Sequence, residues 1–297
     1  MKYPSLISFI LAIAASALAA CQATSTGFIR VTKVTPSYWR ATLSSPPFNL
    51  LNSNFYLDFY ALVDQLENDQ EVKVVVFDSD VPDFWISRID IANPAPAELS
   101  SEVWWGNVTR LSNLPLITVA SIRGITRGAG VELASALDVR FGSREKAVFN
   151  QIEVGFGLTP SSGMALLPML LGRSRALEVA IGADDVDADT AAVYGWINRA
   201  IPDDSFESFV DTFARRVAGW DHDVIAVTKK LINKNAGFPT MEQWREGYEA
   251  GQVSLTKPVL QSRLPAVIKA GLGSNITFEK NLSQETLKFT GDGPFQA

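Results

Sequence analysis

Residues 121–138 read SIRGITRGAGVELASALD. Gly124, Gly128 and Gly130 follow the apolar run LPLITVA and precede a helical pattern, with Glu132 close behind the last glycine. Glycines between a strand and a helix leave unpaired N–H groups at the positive end of the helix dipole, so the turn suits an anion. The spacing Gly124-x-x-x-Gly128-x-Gly130 fits a pyrophosphate cradle. It fits equally an oxyanion that develops on a thioester carbonyl during reaction.

The surrounding chain separates the two. Dinucleotide-binding turns of the short-chain dehydrogenase kind stand at the first strand of their domain, whereas about half of the α/β pattern precedes this one. None of the six tyrosines is followed four residues later by a lysine, so the Tyr-Lys proton-transfer pair is missing. No GK[ST] or GxSxG occurs, which removes a P-loop and a nucleophile elbow. His222 is the only histidine, reads as a surface helix residue, and leaves no basis for a histidine-rich metal site.

The chain of 297 residues is 47% hydrophobic, carries a net charge of −6, and shows no Lys/Arg block. That balance describes a globular protein with a large core and disfavours nucleic acid or anionic lipid as partners. Residues 1–20 differ in kind. Lys2 precedes an apolar run from Leu6 to Leu18, and ALA at 17–19 offers a cleavage site, as in a secretory signal peptide. LAAC also resembles a lipobox, with Cys21 as the lipidated residue. Export is the expectation, with a cytoplasmic or peroxisomal location otherwise. Cys21 is the only cysteine, so no intramolecular disulfide forms. Sequons at Asn107, Asn275 and Asn281 are candidate glycosylation sites.

From the N-terminal side, FIRVTKV and YWRATLSS read as strands and FYLDFYALVDQLEND as a helix capped by Asn54. EVKVVVFDS is a buried strand. VPDFWISRIDIANPAPAELS reads as a loop with exposed aromatics, followed by the helix SEVWWGNVTRLSNL and the strand LITVASI. VRFGS and AVFN are short strands, MALLPMLLGRSRALEVAI is a helix interrupted at Pro168, and DADTAAVYGW is a helix with an acidic cap. From about residue 205 the pattern is helical. The division expected is 1–20 signal peptide, 27–205 α/β core and 206–297 helical C-terminal oligomerisation region.

Four motifs occur in order: GAGVEL, then Asp138, then FNQIE, then PSSGM. From WRATLSSPPFNLLN to NKNAGFP the chain resembles the enoyl-CoA hydratase/isomerase (crotonase) family. That resemblance implies a spiral of ββα units with a helical C-terminal region, assembled as homo-trimers or hexamers, with no metal and no cofactor beyond coenzyme A as part of the substrate. It implies that Glu132 and Glu153 are the catalytic acid–base pair, working across the double bond of an α,β-unsaturated acyl thioester. The backbone N–H of Ala129, flanked by Gly128 and Gly130, matches one oxyanion donor. In FWISRID, Ser87 matches the other, Asp90 the conserved acid of that loop, and Trp85 and Ile86 line the acyl pocket. Pro160 and Ser161 match the Pro-Gly pair of the family and complete the substrate site.

Besides Ala129, at a usual glycine, and Ser161 and Ser162, where the family has Gly and a small residue, the chain departs from the pattern in three places. Arg88 stands at the usual glycine of the oxyanion loop, IDIANPAP lacks the lysine that often follows it, and SRLPAVIKAGLGSN replaces the coenzyme-binding ending. Those departures and the leader leave two other readings open. One is a lyase, isomerase or cyclase acting on an enolisable metabolite without coenzyme A. The other is an exported binding protein on a retired enzyme fold.

Overall fold

The computed structural model describes residues 27–290, so the leader and Cys21 lie outside the described residues. In chain order the elements are β1 (Ile29–Thr35), β2 (Tyr38–Leu43), α1 (Ser53–Asn68), β3 (Val74–Ser79), β4 (Phe84–Ile86), α2 (Ala97–Ser100) and α3 (Glu102–Asn113). The middle of the chain forms β5 (Ile117–Ile122), β6 (Ile125–Arg127), α4 (Ala129–Ala136), β7 (Val139–Ser143), β8 (Val148–Asn150) and α5 (Glu153–Phe156). Next come α6 (Gly163–Leu171), α7 (Arg173–Gly182), β9 (Val186–Asp187), α8 (Ala188–Tyr194) and β10 (Arg199–Ile201). The C-terminal helices are α9 (Asp203–Ala218), α10 (His222–Ala236), α11 (Met241–Leu255), α12 (Pro258–Ala270), α13 (Ile276–Lys280) and α14 (Leu282–Leu287).

Strands sort into two sheets, a six-stranded one of order β1-β2-β3-β5-β7-β10 and a four-stranded one of order β4-β6-β8-β9. From β3 to β8 successive strands enter them alternately. β3, β5 and β7 run parallel in the first, and β4, β6 and β8 run parallel in the second. Each pair is followed by a helix (α3, α4, α5), so the chain winds as a spiral of ββα turns, the crotonase fold. The run VVVF at 74–77 is continuously apolar because both faces of β3 are covered. Val75 and Phe77 enter the main core, while Val74 and Val76 meet Phe206, Val210 and Ala214 of α9.

Three local expectations are corrected. The cap of α1 is Asn52, not Asn54: its extended backbone lets Oδ1 accept from the N–H groups of Asn54 (3.0 Å) and Phe55 (3.3 Å). The helical run at 163–182 passes through Pro168 and breaks at Gly172, whose φ of +74° ends α6. Residues 81–100 are not a loop with exposed aromatics. Phe84 and Trp85 are buried in β4, which the period-two alternation of a three-residue strand is too short to reveal. β6 likewise hides inside what the sequence presents as a glycine turn.

The C-terminal helices are not a separate body. Leu260, Val267, Phe278 and Leu282 pack on Ile152 and Phe156 at α5. Arg127, fully buried at the end of β6, pairs with Asp185 and donates to the carbonyls of Glu279 and Lys280. The chain therefore covers its own second sheet with its C-terminal segment.

Candidate active site

Each of the three glycines of the opening stretch serves a close approach. A Cβ at Gly124 would lie 2.7 Å from the backbone of Asp83, and one at Gly130 would lie 2.5 Å from the carbonyl of Ile86, so both let β6 and α4 close on β4. Gly128 takes φ +53°, and a Cβ there would lie 2.7 Å from Oε1 of Glu153. Ala129 begins α4, so its N–H belongs to the unpaired first turn, and the positive φ is taken by Gly128 instead.

The carboxylates converge. Glu132, in the first turn of α4, and Glu153, the first residue of α5, are bridged by the side-chain amide of Gln151. Its Nε2 donates to Glu153 Oε2 at 2.8 Å and reaches Glu132 Oε1 at 3.4 Å. Glu132 Oε1 also accepts the N–H of Gly163 at 2.9 Å. Burial pushes the Glu132 carboxyl up, against the hydrogen bonds from Gly163 and Gln151 that hold it down. Burial pushes Glu153 up to about 8, and the adjacent charge of Glu132 adds to the rise. Two acids held this close ionise in turn, and the donor set places the negative charge on Glu132 and the proton on Glu153.

A cavity of about 490 Å³ opens beside the pair, with Ala129, Glu132, Glu153 and Ser161 in its wall. Tyr56 of α1, Trp104 and Trp105 of α3, and Tyr248, Gln252 and Leu255 of α11 complete the wall, and Trp105 stacks on Trp244 of α11 with ring centroids 4.8 Å apart. The Tyr56 hydroxyl is pushed up by burial and by the charge of Glu132, so the phenol stays neutral.

Other expected site residues lie elsewhere. Ser87 is fully buried outside the cavity wall, and its N–H donates to the Phe48 carbonyl at 3.2 Å, so Arg88 and Ile89 are what the loop shows to the cavity. Trp85 and Ile86 are core residues rather than pocket walls. The Trp85 indole N–H bonds the Phe77 carbonyl at 3.2 Å, and Ile86 packs beneath Gly130. Asp90 shapes its own loop by accepting from the N–H groups of Ala92 and Asn93, both at 3.0 Å. Pro160 is buried behind Ser161, and Gly128 and Gly130 act through spacing. Arg88 forms a buried ion pair with Glu279 of α13, whose carboxylate also accepts from the Ser87 hydroxyl (3.2 Å) and the Gly273 N–H (2.6 Å). Asn107 is buried with its amide bonded to Val103, which removes that sequon as an accessible acceptor.

Sequence reasoning missed Gln151, Tyr56 and the α11 wall. Gln151 lies two residues before Glu153, and its bridging role depends on the fold of α4 against β8. No spacing signal ties residue 56 or residues 248–255 to residue 132.

The same arrangement has relatives. A short-chain-enoyl-CoA hydratase of Clostridium acetobutylicum is 26% identical over 200 residues, 65% of this chain and 76% of that protein. A solved structure assigned as an enoyl-CoA hydratase from Streptomyces avermitilis superposes with a TM-score of 0.82 at 32% identity, covering 89% of this chain and 98% of the other. An enoyl-CoA hydratase from Mycobacterium avium subsp. paratuberculosis gives 0.74 at 25% identity, covering 83% and 97%. The family model for enoyl-CoA hydratase/isomerase matches residues 37–257, and with two bridged carboxylates at an apolar cavity beside a helix N-terminus, the chain belongs to the enoyl-CoA hydratase/isomerase family.

Proposed function

We propose that the protein hydrates the double bond of an α,β-unsaturated acyl thioester, with Glu132 as base and Glu153 as acid. The observation that carries this is the single Gln151 amide shared by both carboxylates, with the Gly163 N–H donating to Glu132 alone. Water held by Glu132 adds to the β-carbon as its proton passes to that carboxylate. The enolate oxygen rests on the Ala129 N–H at the start of α4, and Glu153 delivers its proton to the α-carbon. Double-bond migration needs only one proton-shuttling group, so two acids of opposite protonation favour hydration over isomerisation. The relatives named for enoyl-CoA support a coenzyme A thioester as substrate, in preference to an enolisable metabolite without coenzyme A or an inactive binding role.

Glu132→Gln and Glu153→Gln are each expected to lower kcat on crotonyl-CoA by about 10²-fold or more, the range of a lost general acid or base. Wild-type rate should fall as pH rises past about 8, where Glu153 gives up its proton, and Glu153→Gln should lack that limb. Unaltered turnover in either variant would remove the assignment.

The exposed stripe Val224, Val227 and Leu231 on α10 supports assembly with further copies of the chain, as a trimer or hexamer. The apolar leader supports export, which N-terminal sequencing of the native protein tests. A mature start after residue 19 or at Cys21 is expected, and an intact Met1 overturns it.

A further inference from the structure

Helix α11 carries two interior glycines, Gly247 and Gly251, and glycine inside a helix costs about 1 kcal/mol relative to alanine. With Ser254 they recur at four- and three-residue spacing, so they lie on one face. That face presses on the segment 159–163. A Cβ at Gly247 would lie 2.2 Å from the Ser161 carbonyl oxygen, and one at Gly251 would lie 3.2 Å from Ser161 Oγ and 3.4 Å from the Thr159 carbonyl. Ser254 Oγ accepts the Thr159 N–H at 3.0 Å and sits 2.8 Å from Thr159 Oγ1. At its far end the segment supplies the Gly163 N–H to Glu132, and a Cβ at Gly163 would lie 2.6 Å from Gln151 Oε1. The segment is thus gripped between α11 and the amide that bridges the two acids.

We infer that Gly247 is a positioning residue of the active site: by letting α11 close onto Ser161, it sets the distance from the Gly163 N–H to Glu132. The inference rests on Glu132 being the base proposed above. A side chain at 247 pushes the Ser161 carbonyl outward by about 1 Å, and displacements of that size at a catalytic group cost about 10²-fold in rate.

The test is the pH dependence of kcat and KM for crotonyl-CoA in Gly247→Ala, with Gly182→Ala of α7 as control, since a Cβ there meets nothing within 4 Å. Gly247→Ala should lower kcat at least tenfold and change KM less than about twofold, given the misplacement cost above. The acid limb lost in Glu132→Gln should move up by about one pH unit, as expected when a carboxylate loses one N–H donor. Gly182→Ala should match wild type. Ser254→Ala, which adds no bulk, should move the same limb in the same direction by less, and it reads the proposal if Gly247→Ala does not fold. A folded Gly247→Ala with an unmoved limb, whatever its thermal stability, overturns the inference, as does an unmoved limb in Ser254→Ala when that variant alone folds. Carbon-13 NMR titration of the Glu132 carboxyl without substrate separates the two ideas. A raised Glu132 pKa in Gly247→Ala upholds the positioning role even if Glu132→Gln retains turnover and the base assignment falls.

Discussion

Gly128 concentrates two demands in one residue. Its φ of +53° is costly for any side chain, and the space its missing Cβ leaves is filled by Glu153 Oε1. Gly128→Ala is therefore expected to lose about 1–3 kcal/mol of stability from backbone strain. It should also lower kcat by about 10²-fold by displacing the acid. Thermal unfolding and steady-state kinetics on crotonyl-CoA check the two separately, and a variant with normal kcat would mean that Glu153 does not need its present position. The glycine spacing and the glutamate were legible in the sequence, whereas the reason for each glycine was not. Adjacent residues do not reveal that Gly124 and Gly130 face β4 while Gly128 faces a carboxylate contributed by α5.

At the scale of elements, the notable feature is the link between the oxyanion loop and α13. Arg88 occupies a position where the family resemblance implies glycine, and its guanidinium is neutralised by Glu279, some 190 residues away and fully buried. Removing one member of a buried pair leaves an uncompensated charge and costs about 3–5 kcal/mol. Glu279→Gln should accordingly lower the urea midpoint at unchanged m-value, and Arg88→Met combined with Glu279→Gln should recover most of the loss. A single variant as stable as wild type would show that the pair does not hold the loop. Helices α1, α3 and α9 to α11 were legible because their apolar spacing is long and regular, and the short α8 because of its acidic cap. β4 and β6 were not, since three residues carry too little periodicity to outweigh neighbouring glycine and proline.

For the whole molecule, the C-terminal helices have two duties. α11 and α12 wall the cavity of their own chain, and α10 turns Val224, Val227 and Leu231 outward. Assembly through that stripe predicts a trimeric or hexameric mass by light scattering, and Leu231→Glu should lower it. A monomeric wild type would leave the stripe without its proposed partner. Among the described residues β10 is the last strand, and helices follow from Asp203. The site does not end with the strands, because Tyr248 and Gln252 line the same cavity as Glu132.

By itself the sequence determined the alternation of strands and helices along much of the chain and the glycine turn that opens a helix at Ala129, and through the family resemblance it singled out Glu132 and Glu153. The alternation and the turn follow from local periodicity and glycine spacing, whereas the two acids follow from motifs that resemble those of the family in order and spacing. Only the tertiary structure decided that Gln151 bridges the acids, that Ser87 is turned away and Arg88 is held by Glu279, and that the glycine face of α11 grips the segment beside Glu132. Each of these depends on contacts between residues far apart in the chain, set by how the two sheets and the C-terminal helices pack, and no short-range pattern encodes them.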